Sequence, residues 1–142
     1  MTSAFVDLLH ALLQLHDRSM EIVIQNHCAT ARPRHGTLLI DILHEADDGH
    51  DQVMLTASLG RPHPERDADV DKRLLEANHL GLGTSGCTLG RDSAQGNVSI
   101  YARLPLDLLD ADALQNALDA FHAIASDWYG NIHRDPDTRN TH

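Results

Sequence analysis

Cysteine is scarce in this 142-residue chain: Cys28 and Cys87 are the only two, and they form no CxxC pair. That usage suits a reducing compartment and offers no disulfide framework. Basic residues are outnumbered, 11 Lys and Arg against 21 Asp and Glu, for a formal net charge of −10. Such a balance repels phosphate backbones and anionic lipid, so nucleic acid and membrane surfaces are poor partners. Aromatics make up only 4% of the chain, and no basic patch interleaves with them to stack on bases. No apolar run approaches the ~20 residues that span a bilayer. The first basic residue is Arg18, so the start does not read as a signal peptide. These absences predict a cytoplasmic protein.

What remains is an ordinary globular composition, 42% hydrophobic. A domain of this length buries roughly 70% of its unfolded surface, so it needs no metal or disulfide staple. In the opening segment Phe5, Leu8, Leu9, Leu12, Leu13 and Leu15 fall at helical spacing, and Ser3 is placed to cap the start. Met20 to Gln25 is short and β-branched and reads as a strand. Residues 25–36, with Pro33 and Gly36 among mixed polar residues, read as a loop. Thr37 to His44 and Gln52 to Leu59 read as two strands joined through Asp48-Gly49, a hairpin signal because Gly accepts positive φ without steric cost. The first of them is apolar on both faces, with Leu39 and Leu43 opposite Leu38, Ile40 and Ile42. In the second, Val53, Leu55, Ala57 and Leu59 alternate with Met54, Thr56 and Ser58.

Pro62 and Pro64 break the chain, and a helix is predicted from about Glu65 to Leu80 with Val70, Leu74, Leu75 and Ala77 inward. Its acidic first turn suits the helix dipole. Gly81, Gly83 and Gly86 end it. Residues 86–91 and 97–104 form a second hairpin, and Asp110 caps a last helix carrying Leu114, Leu118, Phe121, Ala125 and Trp128 at the 3.6-residue period. The order is helix, three strands, helix, two strands, helix. It predicts an α+β fold: an antiparallel five-stranded sheet with three helices, one domain over 1–132 and a frayed polar tail over 133–142.

The chemical motifs fail in context. Gly81-Leu82-Gly83-Thr84-Ser85-Gly86 spells GxGxxG, but a helix precedes it and a strand follows, the reverse of a dinucleotide site. Asp67, Asp69 and Asp71 open like a calcium loop, yet Lys72 and Asn78 replace the required Gly and Glu, which leaves a solvated first helical turn. The near nucleophile elbow at Gly83 to Cys87 has its second Gly displaced and no strand leading in. The 11 histidines include no two that lie two, three or four positions apart, so no helix or strand presents a local metal pair. The sequence therefore points away from an enzyme and from any cofactor, a small metalloenzyme being the competing reading.

A more specific pattern lies in the second half. Leu74-Leu75-Glu76-Ala77-Asn78, the Gly-rich break, Leu89-Gly90-Arg91-Asp92, the strand to Leu104-Pro105-Leu106, and Leu109-Asp110 at the last helix occur in that order. With the opening Phe5, Leu8 and Leu9 and the Asp-Asp-Gly hairpin at 47–49, this run resembles the Tir-chaperone (CesT-like) family of type III secretion chaperones, over about residues 3–130. The resemblance implies a homodimeric class I chaperone. It would bind the N-terminal chaperone-binding segment of a secreted effector without ATP and keep it secretion-competent, with the secretion ATPase as a further partner. It places the dimer interface at Leu74, Leu75, Leu82 and Leu89, and effector contact at Leu8, Leu12, Ile22, Val23, Leu39, Leu43 and Met54. Plain core packing is the competing explanation for each of these apolar residues. The sequence departs from the family at His16-Asp17, where a Leu-Gly pair commonly ends the first helix, and at Arg32-Pro33-Arg34. The alternative function is a YbjN-like regulatory protein on the same scaffold with no secretion substrate.

One outcome follows from charge alone. Adding 11 histidine charges to −10 brings the chain to +1, so net charge crosses zero on acidification. Solubility measured from pH 7 to about 4.5 is expected to pass through a minimum; a flat curve would contradict this.

Overall fold

Ser3 accepts a hydrogen bond from the Val6 N–H at 3.1 Å and starts α1, Ala4–Leu13. Along α1 the residues Phe5, Leu8, Leu9 and Leu12 are buried on one stripe. The computed structural model describes residues 3–15, 19–47 and 50–134. After α1 come β1 (Met20–Gln25), β2 (Cys28–Pro33), β3 (Ile40–Asp47) and β4 (His50–Gly60). A 3-10 turn at Pro64–Arg66 leads into α2 (Asp67–Asn78). β5 (Thr88–Arg91), β6 (Val98–Pro105) and α3 (Ala111–Ile132) complete the chain. Asp110 caps α3 by accepting from the Ala113 N–H at 2.8 Å. No helix among the described residues is long and apolar enough to cross a membrane.

The fold is α+β and the sheet wholly antiparallel, but it has six strands, in the order β1-β2-β3-β4-β6-β5. The expected loop over 25–36 contains β2, which pairs with β1 from Met20↔Pro33 to Gln25↔Cys28. Two residues turn the chain, Asn26 at φ 50° and His27 at φ 65°. This is the geometry of the tight hairpin turn usually written Asn-Gly. Histidine in place of glycine hides it, and the inward side chains Ala29 and Ala31 are too small to mark an apolar alternation. Asp48-Gly49 lies outside the described residues; the flanking strands pair in register, Asp47 with His50 and Ile42 with Leu55.

One face of the sheet carries the core. Ala29 and Ala31 of β2, Ile40 and Ile42 of β3, Val53 to Leu59 at alternate positions of β4, and Val98 and Ile100 of β6 are all buried there. α3 lies along β4 with α1 beside it, and Leu114, Leu118, Phe121, Ala125 and Ile132 are its buried stripe. The opposite face carries Thr30, Asp41, Leu43, Met54, Thr56, Tyr101 and Arg103, all half-buried or exposed. Arg103 bonds Glu45 at 2.6 Å across that face and sits 5.1 Å from the Tyr101 ring centre.

α2 corrects two expectations. Its inward stripe is Val70, Leu74 and Ala77. Leu75, one residue and about 100° of helix further round, points out and is 75% exposed. The acidic first turn is not merely solvated. Asp67 and Asp71 hold the two terminal nitrogens of Arg91 at 2.6 and 2.7 Å, tying α2 to β5. Asp69 bonds Arg66 at 2.8 Å and Arg73 at 3.1 Å. Arg66 is fully buried, and its Nη1 donates to the Asn131 carbonyl at 2.5 Å, so one guanidinium joins the start of α2 to the end of α3. His133 follows α3, and its Nε2 lies 2.6 Å from the Leu59 carbonyl oxygen; residues 135–142 lie outside the described residues.

The GxGxxG stretch is the turn from α2 to β5. The Gly83 N–H donates to the Ala77 carbonyl at 3.1 Å, and a Cβ on Gly83 would stand 2.8 Å from the Ala77 Cα. Buried Thr84 donates its hydroxyl proton to the Cys87 carbonyl.

Two stability outcomes follow. Gly83→Ala must push backbone against backbone and is expected to cost roughly 1–3 kcal/mol. Gly90→Ala, where a Cβ meets nothing within 4 Å, should leave the melting temperature nearly unchanged. Equal melting temperatures for the two variants would refute the close approach. The second outcome concerns Asp69. The hydrogen bond from Arg66, and then the charge of Arg73, hold its carboxyl below the usual carboxylate range. A depressed native pKa contributes stability above the unfolded value of about 3.9, lost as pH falls through the native one. Asp69→Asn should therefore lower urea stability at pH 7, and the gap to the parent should narrow toward pH 3.

Candidate binding surface

A sheet has two edges whose backbone groups need partners, and this chain treats its two differently. At the β5 edge the Asn78 side chain imitates a strand. Its Nδ2 donates to the Leu89 carbonyl at 2.7 Å and its Oδ1 accepts from the Leu89 N–H at 2.8 Å. The outward groups of β5 are thus occupied at its centre. Sequence reading met Asn78 only as a residue of the helix, because the strand it bonds lies 11 positions on.

At the other edge, β1 pairs only with β2 among the described residues. The Arg34 N–H donates to the Ser19 carbonyl at 3.2 Å. Antiparallel bonding alternates every second residue, so Ile22 and Ile24 turn their N–H and C=O groups away from β2. Their side chains lie half-buried against the core. Val23 projects from the opposite face and is 55% exposed.

Clefts flank α1, two of them near this edge. One, of about 680 Å³, lies between the start of α1, the β1–β2 turn and the ends of β3 and β4; Phe5, Val6, Leu43 and Met54 supply its apolar lining. The His44 ring stacks on Phe5 there, centroids 5.0 Å apart. A narrow crevice between α1, β1 and α3 is lined by Leu12, Ile22 and Leu118. A third cleft, of about 480 Å³, sits between α1 and the start of β4, with Leu8 in its wall.

The predicted effector-contact residues thus divide. Val23 and Leu39, 55% and 44% exposed, offer open apolar surface. Leu43 and Met54 share the large cleft. Ile22 lies within the edge strand. Leu8 and Leu12 are buried, reaching the surface only as cleft walls. The predicted dimer residues divide too: Leu75 and Leu82, 75% and 79% exposed, are open, whereas Leu74 and Leu89 are buried.

Among the described residues no group of three or more metal-ligating side chains comes together. Cys87 is buried, and burial pushes its thiol pKa up, away from the reactive thiolate.

The Tir chaperone protein (CesT) family matches residues 37–129, from just before β3 through most of α3. No curated protein matches the chain. Among solved structures, a chain of the HopA1–SchA chaperone–effector complex superposes with a TM-score of 0.61 at 18% identity, covering 93% of this chain and 94% of that one. A chain of the heterodimeric ExoU–SpcU complex from the type III secretion system of Pseudomonas aeruginosa gives 0.52 at 16% identity, covering 89% and 93%. A chain of the ExsC–ExsE complex gives 0.52 at 13% identity, covering 84% and 80%. At these identities the structures speak for the fold, and the family match spans more than half of the sequence. The chain belongs to the Tir chaperone protein (CesT) family.

Proposed function

We propose that this protein is a type III secretion chaperone that captures the N-terminal chaperone-binding segment of a secreted effector in the cytoplasm, without catalysis. The observation that carries this reading is the asymmetry of the sheet. Asn78 occupies the β5 edge, while β1 stands open beside apolar clefts along α1. An extended polypeptide can add to such an edge with backbone hydrogen bonds and place alternate side chains in the clefts. The solved neighbours include a chaperone–effector complex and a complex from a type III secretion system, which accords with this use of the fold. A disordered segment loses conformational freedom on binding, and a long wrapped surface offsets that cost where a single pocket would not.

The contact set narrows to Ile22, Val23, Leu39, Leu43 and Met54, with Leu8 and Leu12 as cleft walls. The same reading gives a homodimer across the outer side of α2, where Leu75 and Leu82 lie exposed. A two-fold pairing there would duplicate the capture surface.

The test is a pull-down from the native cytosol with mass spectrometry, run beside light scattering. A secreted protein retained through its N-terminal segment is expected, as is a particle of about twice the 15.6 kDa chain mass. Val23→Asp should abolish retention while leaving the melting temperature within a few degrees, since the side chain is exposed. Undiminished retention by Val23→Asp would remove β1 from the surface, and a strict monomer at micromolar concentration would remove the dimer.

A further inference from the structure

The third cleft differs in chemistry from the other two. Its floor is apolar: Leu8 and Leu106 are almost fully buried, and Pro105 and Leu109 line the sides. Its rim carries the carboxylates of Asp51 and Asp107, both exposed, beside His50; Asp51 Oδ1 lies 3.4 Å from His44 Nε2, the Asp107 carboxylate faces the cleft from the other wall, and no lysine or arginine lines it. Arg103, on the strand that ends at this cleft, is already engaged by Glu45. The starts of α1 and α3 bring positive helix ends toward this region. Ser3 and Asp110 cap them, however, and Asp7 and Asp112 stand in their first turns. Those groups offset the helix dipoles, so an apolar floor remains beneath a negative rim.

We propose that this cleft is a subsite for an arginine side chain of the captured polypeptide. The inference rests on the capture reading above and adds to it a chemical requirement on the partner. An arginine lays its three methylenes along apolar surface while its head stays at the rim. Its planar guanidinium, more weakly hydrated than an ammonium, can donate to two carboxylates at once. The volume of about 480 Å³ falls within the range of roughly 300–1,000 Å³ typical of ligand pockets. It therefore admits the whole side chain. The subsite lies on the other side of α1 from the cleft that holds Leu43 and Met54, so a segment using both must cross the first helix.

The probe is Nα-acetyl-arginine N-methylamide, titrated into the ¹⁵N-labelled full chain and followed by NMR. Saturable shifts confined to the amides of Leu8, Asp51, Gln52, Asp107 and Leu109 are expected, with a Kd on the order of 1–10 mM. The citrulline analogue keeps the shape and loses the charge; it should bind at least about tenfold more weakly, which corresponds to about 1.4 kcal/mol. The lysine analogue should also be weaker. Asp107→Asn and Asp51→Asn should each weaken arginine binding several-fold, with amide spectra otherwise unchanged as the check on folding. Equal binding of arginine and citrulline, or shifts spread over the acidic surface and indifferent to Asp107→Asn, would overturn the subsite. An arginine site that behaves as expected beside undiminished retention by Val23→Asp would instead remove β1 from the capture surface and leave the subsite standing. Absent arginine binding together with lost retention would remove the subsite alone.

Discussion

Ile40 and Ile42 on β3, Val53 to Leu59 at alternate positions on β4, and Val98 and Ile100 on β6 set a one-sided burial on which the rest of the molecule depends. A strand period of two puts all of these side chains on a single face. A one-residue slip in any of the three strands would turn its apolar set out into water. The register is therefore tightly specified, and α1 and α3 must lie on that face. Each buried aliphatic side chain contributes roughly 1.5–3 kcal/mol relative to exposure, far more than the exposed ion pairs, which are worth about 0–1 kcal/mol each. Ion pairing matters more at Arg66, where a buried guanidinium joins α2 to α3; removing it would take from Asp69 one of its two arginine partners and from the Asn131 carbonyl this donor.

Once one face is buried, two edges and a second face remain. The β5 edge is met by one amide side chain and by α2 lying next to it, held there by Arg91 between Asp67 and Asp71. β1 receives nothing comparable from the described residues. An open edge with half-buried isoleucines is a liability in a protein that binds nothing. In a protein that captures extended chain it is the working surface. The net charge of −10 keeps such a surface from associating indiscriminately, and in the third cleft the same acidity takes on a recognition role.

Long, strongly periodic segments were legible without coordinates. α3 was, from Leu114, Leu118, Phe121 and Ala125 behind an Asp cap, and so was β4 from its strict alternation. β2 was not. Its turn lacks the expected glycine, its inward residues are alanines, and Pro33 reads as a breaker until it is seen pairing with Met20 at the end of a strand. Leu75 was misassigned because four consecutive helical residues, two of them leucine, leave the inward stripe ambiguous by one position. Of the proposed contact residues, all named through the family resemblance, Val23 and Leu39 prove exposed. Leu8 and Leu12 have the same apolar character yet serve mainly as core.

By itself the sequence determined the fold class, the family resemblance and the absence of a recognisable catalytic motif. Those depend on periodicity, turn chemistry and the local order of residues, all properties of short stretches of chain. The tertiary structure alone decided that Asn78 closes one sheet edge, that Asp67 and Asp71 share an arginine from another strand, and that Asp51 and Asp107 flank one apolar cleft. Each of these joins residues 11 to more than 50 positions apart. Backbone spacing is written in the sequence, but which side chain meets which distant partner depends on the sheet register that brings them together.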